Sequence, residues 1–322
     1  MTQKSDFEKA VRKLEPEIAQ AFIEAIRTSS GQVDFGLLVD LIEGGDIEQA
    51  ALMFGDMNLF PFSEKVRAAY MAGGGLAQFP RGVRGVFGFD GSHPDAVKFA
   101  AEYSANLVSG LKDDIIKVAK VVITHGIDAG RTSKTIATEL VGKKVGNIRV
   151  GGHIGLSPAQ SETSLRWASK LRTGDFDGYF DLKLRDKRYD EIVRRAMDDG
   201  RGLKADDLQK VVEANRQKTI TYRGRVIGRN EAHTALSAGR NEAYSQAIGA
   251  DGVEAVKVRW QHNLSEEPRQ DHVDMSGTVI DLGQTFDFSD GAHMKYPHDP
   301  AGGAGHSIGC RCVAIYRVEV AA

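Results

Sequence analysis

The chain has 322 residues, of which 41% are hydrophobic and 27% charged, and its formal net charge is -2. That length suffices to bury a sizeable core, and the near-neutral charge excludes a global electrostatic attraction to nucleic acid or to a membrane surface. No stretch approaches the roughly 18 consecutive apolar residues of a membrane span, and the first residues lack the apolar core of a signal peptide, so we expect a protein made in the cytoplasm without a membrane partner. Two cysteines near the C-terminus exclude a disulfide framework and fit a reducing compartment.

Helical periodicity dominates the first part of the chain. Apolar side chains recur three and four positions apart over residues 7–26. Asp34 and Asp46 are suited to cap two further short helices, because their side chains accept hydrogen bonds from free N–H groups at a helix start. The glycine run at residues 73–75 interrupts the pattern. We therefore predict an N-terminal helical region over residues 1–85.

The helical period resumes near Pro94 and predicts a helical body over residues 86–249. Thr132 and Ser157 are suited to cap helices, and Pro158 fits a first helical turn. The predicted helices of this body run from about Pro94 to Val108, from Lys112 to His125, from Thr132 to Leu140, from Ser157 past Leu171, and near residues 187–199, 205–219 and 225–248.

A row of small side chains marks the helix predicted over residues 225–248. The row consists of Ala232, Ala235, Gly239, Ala243 and Ala247. Small side chains at this spacing let another backbone approach the helix closely.

The character of the sequence changes over residues 250–322. Short runs of β-forming residues, separated by Gly, Pro and Asp, occupy positions 256–260, 278–282 and 312–316. The sequence therefore predicts a mainly α protein, in which an elongated helical body is followed by a small C-terminal α+β unit. We call residues 250–322 the C-terminal unit.

The average charge conceals a split along the chain. Residues 1–130 carry 13 Lys and Arg against 18 Asp and Glu, residues 131–240 carry 23 against 14, and residues 241–322 carry 6 against 12. The positive middle block could face phosphates or an acidic partner, but on helices such a block is more often a solvated face interleaved with carboxylates. We favour the solvated face.

Within that block, Arg223, Arg225 and Arg229 precede Glu231. Arg225 and Arg229 are four positions apart, so on a helix they share a face and repel each other unless an anion lies between them. Glu231, or a carboxylate of another protein, could supply that anion. The four residues are candidate contacts for DNA or for a partner, with a solvated basic turn as the alternative.

Candidate site chemistry is concentrated near the C-terminus, where five of the nine histidines and both cysteines lie between His262 and Cys312. A structural zinc site is one interpretation, because thiolates and imidazoles can staple a unit that has little core of its own. Only one residue separates Cys310 from Cys312, however, whereas zinc knuckles usually have about two to four.

Catalysis is a second interpretation of the same residues. The candidate groups are Cys310 or Cys312 as nucleophile, His272 or His298 as base, and Asp271 or Asp299 as the group that orients the base. The local sequence matches no nucleophile elbow, and the chain contains neither a Gly-rich phosphate loop nor an HExxH helix.

The interpretation that we favour is a buried polar clasp formed by Arg269, Asp271, His272 and the segment Cys310-Arg311-Cys312. A buried guanidinium matches carboxylate and carbonyl acceptors well, and a buried polar group left unpaired costs about 1–3 kcal/mol. Such a clasp holds strands and turns together. We accordingly expect no catalytic residue, no metal and no cofactor.

Two series of residues stand out by their order and spacing. The first is Ile154-Gly155-Leu156-Ser157 with Gln160, Arg185-Asp186-Lys187-Arg188, and Arg225-Val226-Ile227-Gly228-Arg229-Asn230-Glu231 with Ala238 and Asn241. The second, which we call the C-terminal signature, is Trp260, Ser265-Glu266-Glu267-Pro268-Arg269, His272, Gly277, Phe286, Tyr296-Pro297-His298-Asp299-Pro300 and Cys310-Arg311-Cys312. Over roughly residues 93–318 the chain resembles the phage Mu F-like head morphogenesis family. It departs from the usual family pattern at Gly228, Asn230, His298 and Gly309.

The resemblance implies a minor head protein of a tailed bacteriophage, a structural protein that associates with the portal protein, and with capsid or scaffolding proteins, during prohead assembly. It implies a place in the virion, in the head interior or at the portal vertex. Some relatives are thought to bind DNA and to affect genome packaging or ejection. Two other functions remain open: a phage-encoded hydrolase or nuclease that uses the C-terminal His, Asp and Cys residues, and a nonspecific DNA-binding protein, whose affinity should fall steeply with salt.

Overall fold

A computed structural model describes residues 2–84, 87–263 and 267–320. The chain is 62% helical. The helices are α1 (Gln3–Gln32), α2 (Phe35–Glu43), α3 (Ile47–Leu52), α4 (Phe60–Gly74), α5 (Arg81–Arg84), α6 (Pro94–Asp128), α7 (Ser133–Val141), α8 (Pro158–Thr173), α9 (Asp190–Asp198), α10 (Ala205–Ala247), α11 (Gln270–Asp274) and α12 (Gly303–Ser307). Ser265 and Glu266 of the C-terminal signature, and Gly85 at the predicted regional boundary, lie outside the described residues.

The strands form small antiparallel sheets. They are β1 (Lys143–Val145), β2 (Ile148–Val150), β3 (Val253–Gln261), β4 (Val279–Asp281), β5 (Phe286–Asp287), β6 (His293–Met294) and β7 (Val313–Val320). β1 and β2 form a hairpin, β5 pairs with β6, and a three-stranded sheet has the order β4-β3-β7. The predicted class, mainly α with a small C-terminal α+β unit, is confirmed.

The predicted helix caps are confirmed. The side chains of Asp34 and Asp46 accept hydrogen bonds from the backbone N–H groups of the first turns of α2 and α3. Thr132 caps α7 in the same way. Ser157 and Gln160 form a reciprocal capping box at the start of α8.

Two predicted helix breaks are wrong. The helices predicted before and after residue 110 are one helix, α6, and those predicted over 205–219 and 225–248 are one 43-residue helix, α10. Gly110 and Gly224 lie in the interiors of these helices, where a single glycine costs only about 1 kcal/mol relative to alanine. The apolar pattern of the sequence is interrupted near each glycine. No proline lies at either position, however, so each helix continues through the interruption.

The contacts divide the chain into two compact units, each built from segments that are distant in sequence. Contact unit 1 comprises Met1–Gln20, Phe62–Asn106 and Arg225–Ala322, and contact unit 2 comprises Ala21–Pro61 and Leu107–Gly224. The linear division into residues 1–85, 86–249 and 250–322 stays a prediction, since compactness and independent folding are different properties.

In contact unit 1, the C-terminal strand packs on the N-terminal helix. Phe7 and Val11 of α1 form a buried cluster with Leu236 of α10 and Val313 of β7. In contact unit 2, apolar side chains of α8, α9 and the first part of α10 form a separate core around Tyr179. No helix among the described residues is long and apolar enough to span a membrane.

The row of small side chains on α10 serves the close approach that was predicted from it. A Cβ atom placed on Gly239 would overlap the carbonyl oxygen of Tyr70 on α4, and one on Gly73 would overlap the backbone of Leu236. Helices α4 and α10 are therefore packed with their backbones in contact at these glycines, in an arrangement that larger side chains would prevent.

Candidate functional site

The C-terminal unit brings two histidines and both cysteines into one buried group. His272 lies on α11, His306 on α12, and Cys310 and Cys312 lie in the turn that leads into β7. All four are at most 5% exposed. We call these four residues the His-Cys cluster.

The ring of His272 faces both thiols. Its Nδ1 atom lies 3.4 Å from Sγ of Cys310 and 3.6 Å from Sγ of Cys312. The backbone N–H of Cys312 donates to Sγ of Cys310 at 3.3 Å. The chain between the cysteines therefore bends so that both sulfurs point to the same ring nitrogen, while Arg311 points to solvent.

The far side of the His272 ring is held by a relay. Its Nε2 atom lies 3.0 Å from Nδ1 of His306, and Nε2 of His306 lies 2.9 Å from Oδ2 of Asp290. The carboxylate can only accept, so Nε2 of His306 donates to it, and this hydrogen bond lowers the pKa of Asp290. With His306 neutral, its Nδ1 accepts the proton of His272 Nε2, which leaves Nδ1 of His272 with a free lone pair directed at the sulfurs.

The two thiols titrate as a pair. The hydrogen bond from the Cys312 thiol, followed by the nearby rings of His272 and His298, lowers the pKa of Cys310 against the opposing effect of burial. The same pairing, together with burial, raises the pKa of Cys312. Each thiol therefore changes the pKa of the other.

Aromatic side chains enclose the His-Cys cluster. The rings of Trp260 and His272 meet edge to face at 5.3 Å, and Phe288 packs 4.6 Å from His306. Phe286 completes this wall beside Trp260. The enclosure excludes water and lowers the local dielectric constant, which strengthens electrostatic interactions between the enclosed groups.

His298 is buried next to the cluster in a strained backbone conformation. It is 1% exposed, and its φ of 69° is the single positive value found at a non-glycine residue in the described chain. Its ring stacks on His233 at 4.5 Å. Neither of its ring nitrogens has a hydrogen-bond partner within the described residues. Buried polar atoms rarely lack a hydrogen-bond partner. A strained backbone at a buried non-glycine residue is typical of a functional position.

The rest of the C-terminal signature shapes the loops around this group. Arg269 donates to the carbonyl of Ile308 at 2.6 Å, which ties α11 to the turn before Cys310. Asp299 accepts from the backbone of Lys295 and Ala301 at 2.8 and 3.0 Å. Tyr296 and Pro297 are buried, whereas Gly277 occupies an exposed turn with φ 92°.

The predicted clasp is thus brought together in part. His272 meets both cysteines, and Asp271 approaches His306 with a separation of 3.7 Å between Oδ2 and Nδ1. Arg269 contributes through a backbone carbonyl and not through a carboxylate. Arg311 lies outside the buried group.

The candidate contacts on α10 have different environments. Arg223 pairs with Asp114 at 2.8 Å and donates to the carbonyl of Gly155 at 3.2 Å. Arg225 is exposed. Glu231 is buried, and it accepts hydrogen bonds from Tyr103 and Asn230. Burial raises the pKa of Glu231. A role of these residues in contacting DNA or a partner stays a prediction.

Sequence reasoning missed a buried network in contact unit 2. Arg216 donates from Nε to the carbonyl of Gly151 at 2.7 Å and approaches Nε2 of His153 at 3.1 Å. Because arginine cannot accept, Nε2 of His153 accepts and Nδ1–H donates to Oγ of Ser161 at 2.7 Å. The sequence signal was a histidine inside a glycine-rich loop, and its partners are too distant in sequence to be recognised.

Fold and site together define a mainly helical protein whose C-terminal α+β unit encloses histidine and cysteine side chains. Residues 189–315 match the family described as Phage Mu protein F like protein, so the chain is similar to this family over that region. It is also 29% identical over 94 residues to the uncharacterized protein YqbB of Bacillus subtilis (strain 168). That alignment covers 28% of this chain and 29% of the relative. No solved structure matches the chain.

Proposed function

We propose that the chain is a minor head protein of a tailed bacteriophage, which associates with the portal protein during prohead assembly. The observation that carries the proposal is the family match over residues 189–315, which includes all four residues of the His-Cys cluster. The family suggests phage head morphogenesis. Contact with capsid or scaffolding proteins, and a place at the portal vertex or inside the head, are parts of the same proposal.

The burial of the C-terminal residues supports a structural role over hydrolysis. His272, Cys310 and Cys312 are between 2% and 4% exposed, and aromatic rings cover them. A nucleophile and its base must reach a substrate within hydrogen-bond distance, and an enclosed group offers no such access. Lack of catalytic activity is therefore retained as part of the proposal.

The ion pairs of residues 131–240 support the interpretation of the positive block as a solvated face. Several of its cations are paired with carboxylates of the same block: Arg131 with Glu139, Lys143 with Glu213, Lys170 with Asp175, Arg185 with Asp190, Arg188 with Asp186, and Arg201 with Asp199. Cations held in this way are less available to phosphates. We therefore propose assembly with the portal, and not DNA binding, as the main function of the chain.

We assign the contact with the portal to Arg311, the exposed arginine of the C-terminal signature. Arg311 is exposed between two buried cysteines, so the fold fixes its backbone while its guanidinium faces solvent. An arginine held in this manner can form a forked hydrogen bond with a carboxylate of another protein at a small entropic cost. Arg317 on β7 is also exposed and lies outside the signature, which makes it a matched control.

Co-expression tests the proposal. The tagged full chain is produced with the portal protein of the same phage and recovered by affinity purification, and the eluate is probed for portal. We expect the wild type and Arg317→Glu to retain portal, and Arg311→Glu to lose most of it while its thermal unfolding stays unchanged. If the wild-type chain recovers no portal under conditions in which the same cells assemble proheads, the portal association is wrong.

A further inference from the structure

We propose that His272, Cys310 and Cys312 bind one zinc ion, and that this ion staples the C-terminal unit. The proposal goes beyond head assembly and does not depend on it. It also replaces the metal-free clasp expected from the sequence.

The distances within the group suit a tetrahedral ion. Zinc bonds of about 2.3 Å to sulfur and about 2.0–2.1 Å to nitrogen place the two ligand atoms roughly 3.6 Å apart when the ion is tetrahedral. Nδ1 of His272 lies 3.4 Å from one sulfur and 3.6 Å from the other. The three ligand atoms all lie within 4.8 Å of one another. The two nitrogen-to-sulfur distances therefore match those of a tetrahedral zinc site.

The Cys310-Arg311-Cys312 spacing is compatible with such a site in this fold. In a regular strand, Cys310 and Cys312 would share a face with their Cα atoms about 6.6–6.8 Å apart, which does not favour binding of one ion by both sulfurs. Here β7 begins at Val313, after the second cysteine, so both cysteines lie in the loop before the strand. The N–H of Cys312 reaches back to Sγ of Cys310, an interaction that stabilises a thiolate ligand.

The relay behind His272 prepares it as a ligand. Metal-bound histidines usually donate their second N–H to a carboxylate, a carbonyl or another acceptor, which fixes the tautomer. His272 has this arrangement through His306 and Asp290, at 3.0 and 2.9 Å.

His298, buried in the same unit, has unsatisfied polar atoms. Both of its ring nitrogens are buried without a hydrogen-bond partner among the described residues, and its backbone is held at φ 69°. A buried polar atom left unpaired costs about 1–3 kcal/mol, so the described side chains of the unit do not by themselves satisfy its polar groups.

The ligand chemistry points to zinc in preference to other ions. Two thiolates and one imidazole form a set that prefers zinc, whereas magnesium and calcium prefer oxygen ligands. The rings of Trp260 and Phe288 pack against His272, and the three proposed ligands are buried.

Metal analysis of the purified full chain tests the proposal. Inductively coupled plasma mass spectrometry should find one zinc per chain in the wild type and in His293→Gln, whose histidine is exposed and pairs with Asp287. Cys312→Ser and His272→Gln should each lose the metal. When cobalt(II) replaces the colourless zinc, it should give the intense visible absorption of a tetrahedral ion and a thiolate-to-cobalt band.

If the variants do not fold, zinc binding can be tested on the wild-type chain alone. Titration of the native chain with a mercurial reagent should release zinc to a chromophoric chelator in step with the modification of the two thiols. Thiols that react without releasing zinc, cobalt(II) that gives no thiolate band, or a disulfide between Cys310 and Cys312 in chain purified under reducing conditions would each overturn the proposal.

Discussion

Nδ1 of His272 lies 3.4 Å from Sγ of Cys310, although the two residues are 38 positions apart in the chain. The intervening segment contains the short elements β4, β5, β6 and α12. Closing a loop of this length costs conformational entropy, which the buried side chains of the segment and the contact at its ends must offset. A metal ion at the His-Cys cluster would strengthen that contact beyond a hydrogen bond between neutral groups.

The relay behind His272 can be tested apart from the ligands themselves. Replacing Asp290→Asn removes the negative charge that receives the proton of His306, so His272 should bind zinc about 10-fold more weakly or worse. Asp274→Asn is the matched control, because that exposed carboxylate accepts from Gln270 and is not part of the relay. Competition with a chromophoric chelator measures both affinities, and equal affinities in the two variants would remove the relay from the account.

The close packing of α4 on α10 predicts opposite effects of two glycine substitutions. Gly239→Ala should destabilise the protein by about 1–3 kcal/mol, since its new methyl group meets the Tyr70 carbonyl and the backbone N–H of Gly74. Gly110→Ala meets nothing within 4 Å in the interior of α6, so it should stabilise by up to about 1 kcal/mol. Urea denaturation measures both changes. A neutral Gly239→Ala would show that the two helices separate easily.

Arg240 is predicted to stabilise contact unit 1 by packing as well as by hydrogen bonds. It is 1% exposed, donates to Gln3 and to the carbonyl of Ala314, and lies between the rings of Phe7 and Tyr316. Arg240→Ala should cost about 2–4 kcal/mol, because it opens a cavity and leaves a buried carbonyl unpaired. Arg240→Met should cost less, since it retains volume and removes a buried charge.

A substitution at the exposed Arg311 is the control for Arg240→Ala and Arg240→Met. Arg311→Ala should leave the melting temperature unchanged, because its side chain lies in solvent. Differential scanning calorimetry compares the three variants. The packing argument would be wrong if Arg240→Met and Arg240→Ala were equally unstable.

Buried His153 predicts a loss of stability in mild acid. Burial, followed by the charges of Arg216, Arg131 and His125, lowers its pKa well below the usual 6.5. The unfolded chain takes up this proton near its ordinary pKa while the folded chain does not, so stability is present above about pH 6.5 and is lost as the pH falls, by up to about 1.4 kcal/mol per pH unit.

His153→Gln isolates that contribution. A glutamine can accept from Arg216 and donate to Ser161, and it does not titrate, so the variant should show a shallower decline in stability than wild type between pH 7 and pH 5.5. His293→Gln, at an exposed position, should decline as steeply as wild type. The measurement is urea denaturation at several pH values, and parallel curves for wild type and His153→Gln would refute the assignment.

Local signals in the sequence predicted local structure well. The caps at Asp34, Asp46 and Ser157 were predicted because a cap depends on residues within three positions of one another. The close packing at Gly239 followed from the spacing of small residues along one helix. The continuity of α10 was missed because packing against neighbouring helices overrides an interrupted apolar pattern.

The candidate site was predictable in composition but not in geometry. The sequence pointed to His272, Cys310 and Cys312 as a group, yet the direction of each side chain depends on where β7 begins, which a run of β-forming residues does not fix to within one residue. The relay through His306 and Asp290 depends on contacts across 34 and 16 positions and had no local signal. The pairing of Arg223 with Asp114, 109 positions away, was unpredictable for the same reason.

The most direct test of the assembly role is made in the phage itself. The gene is deleted from the phage, the lysate is fractionated, and capsids are counted by electron microscopy with and without the wild-type chain supplied in trans. We predict that heads without the chain are defective and that infectivity returns with the supplied chain, which is then detected in purified proheads by immunoblot. Filled heads and full infectivity in the absence of the chain would contradict the account.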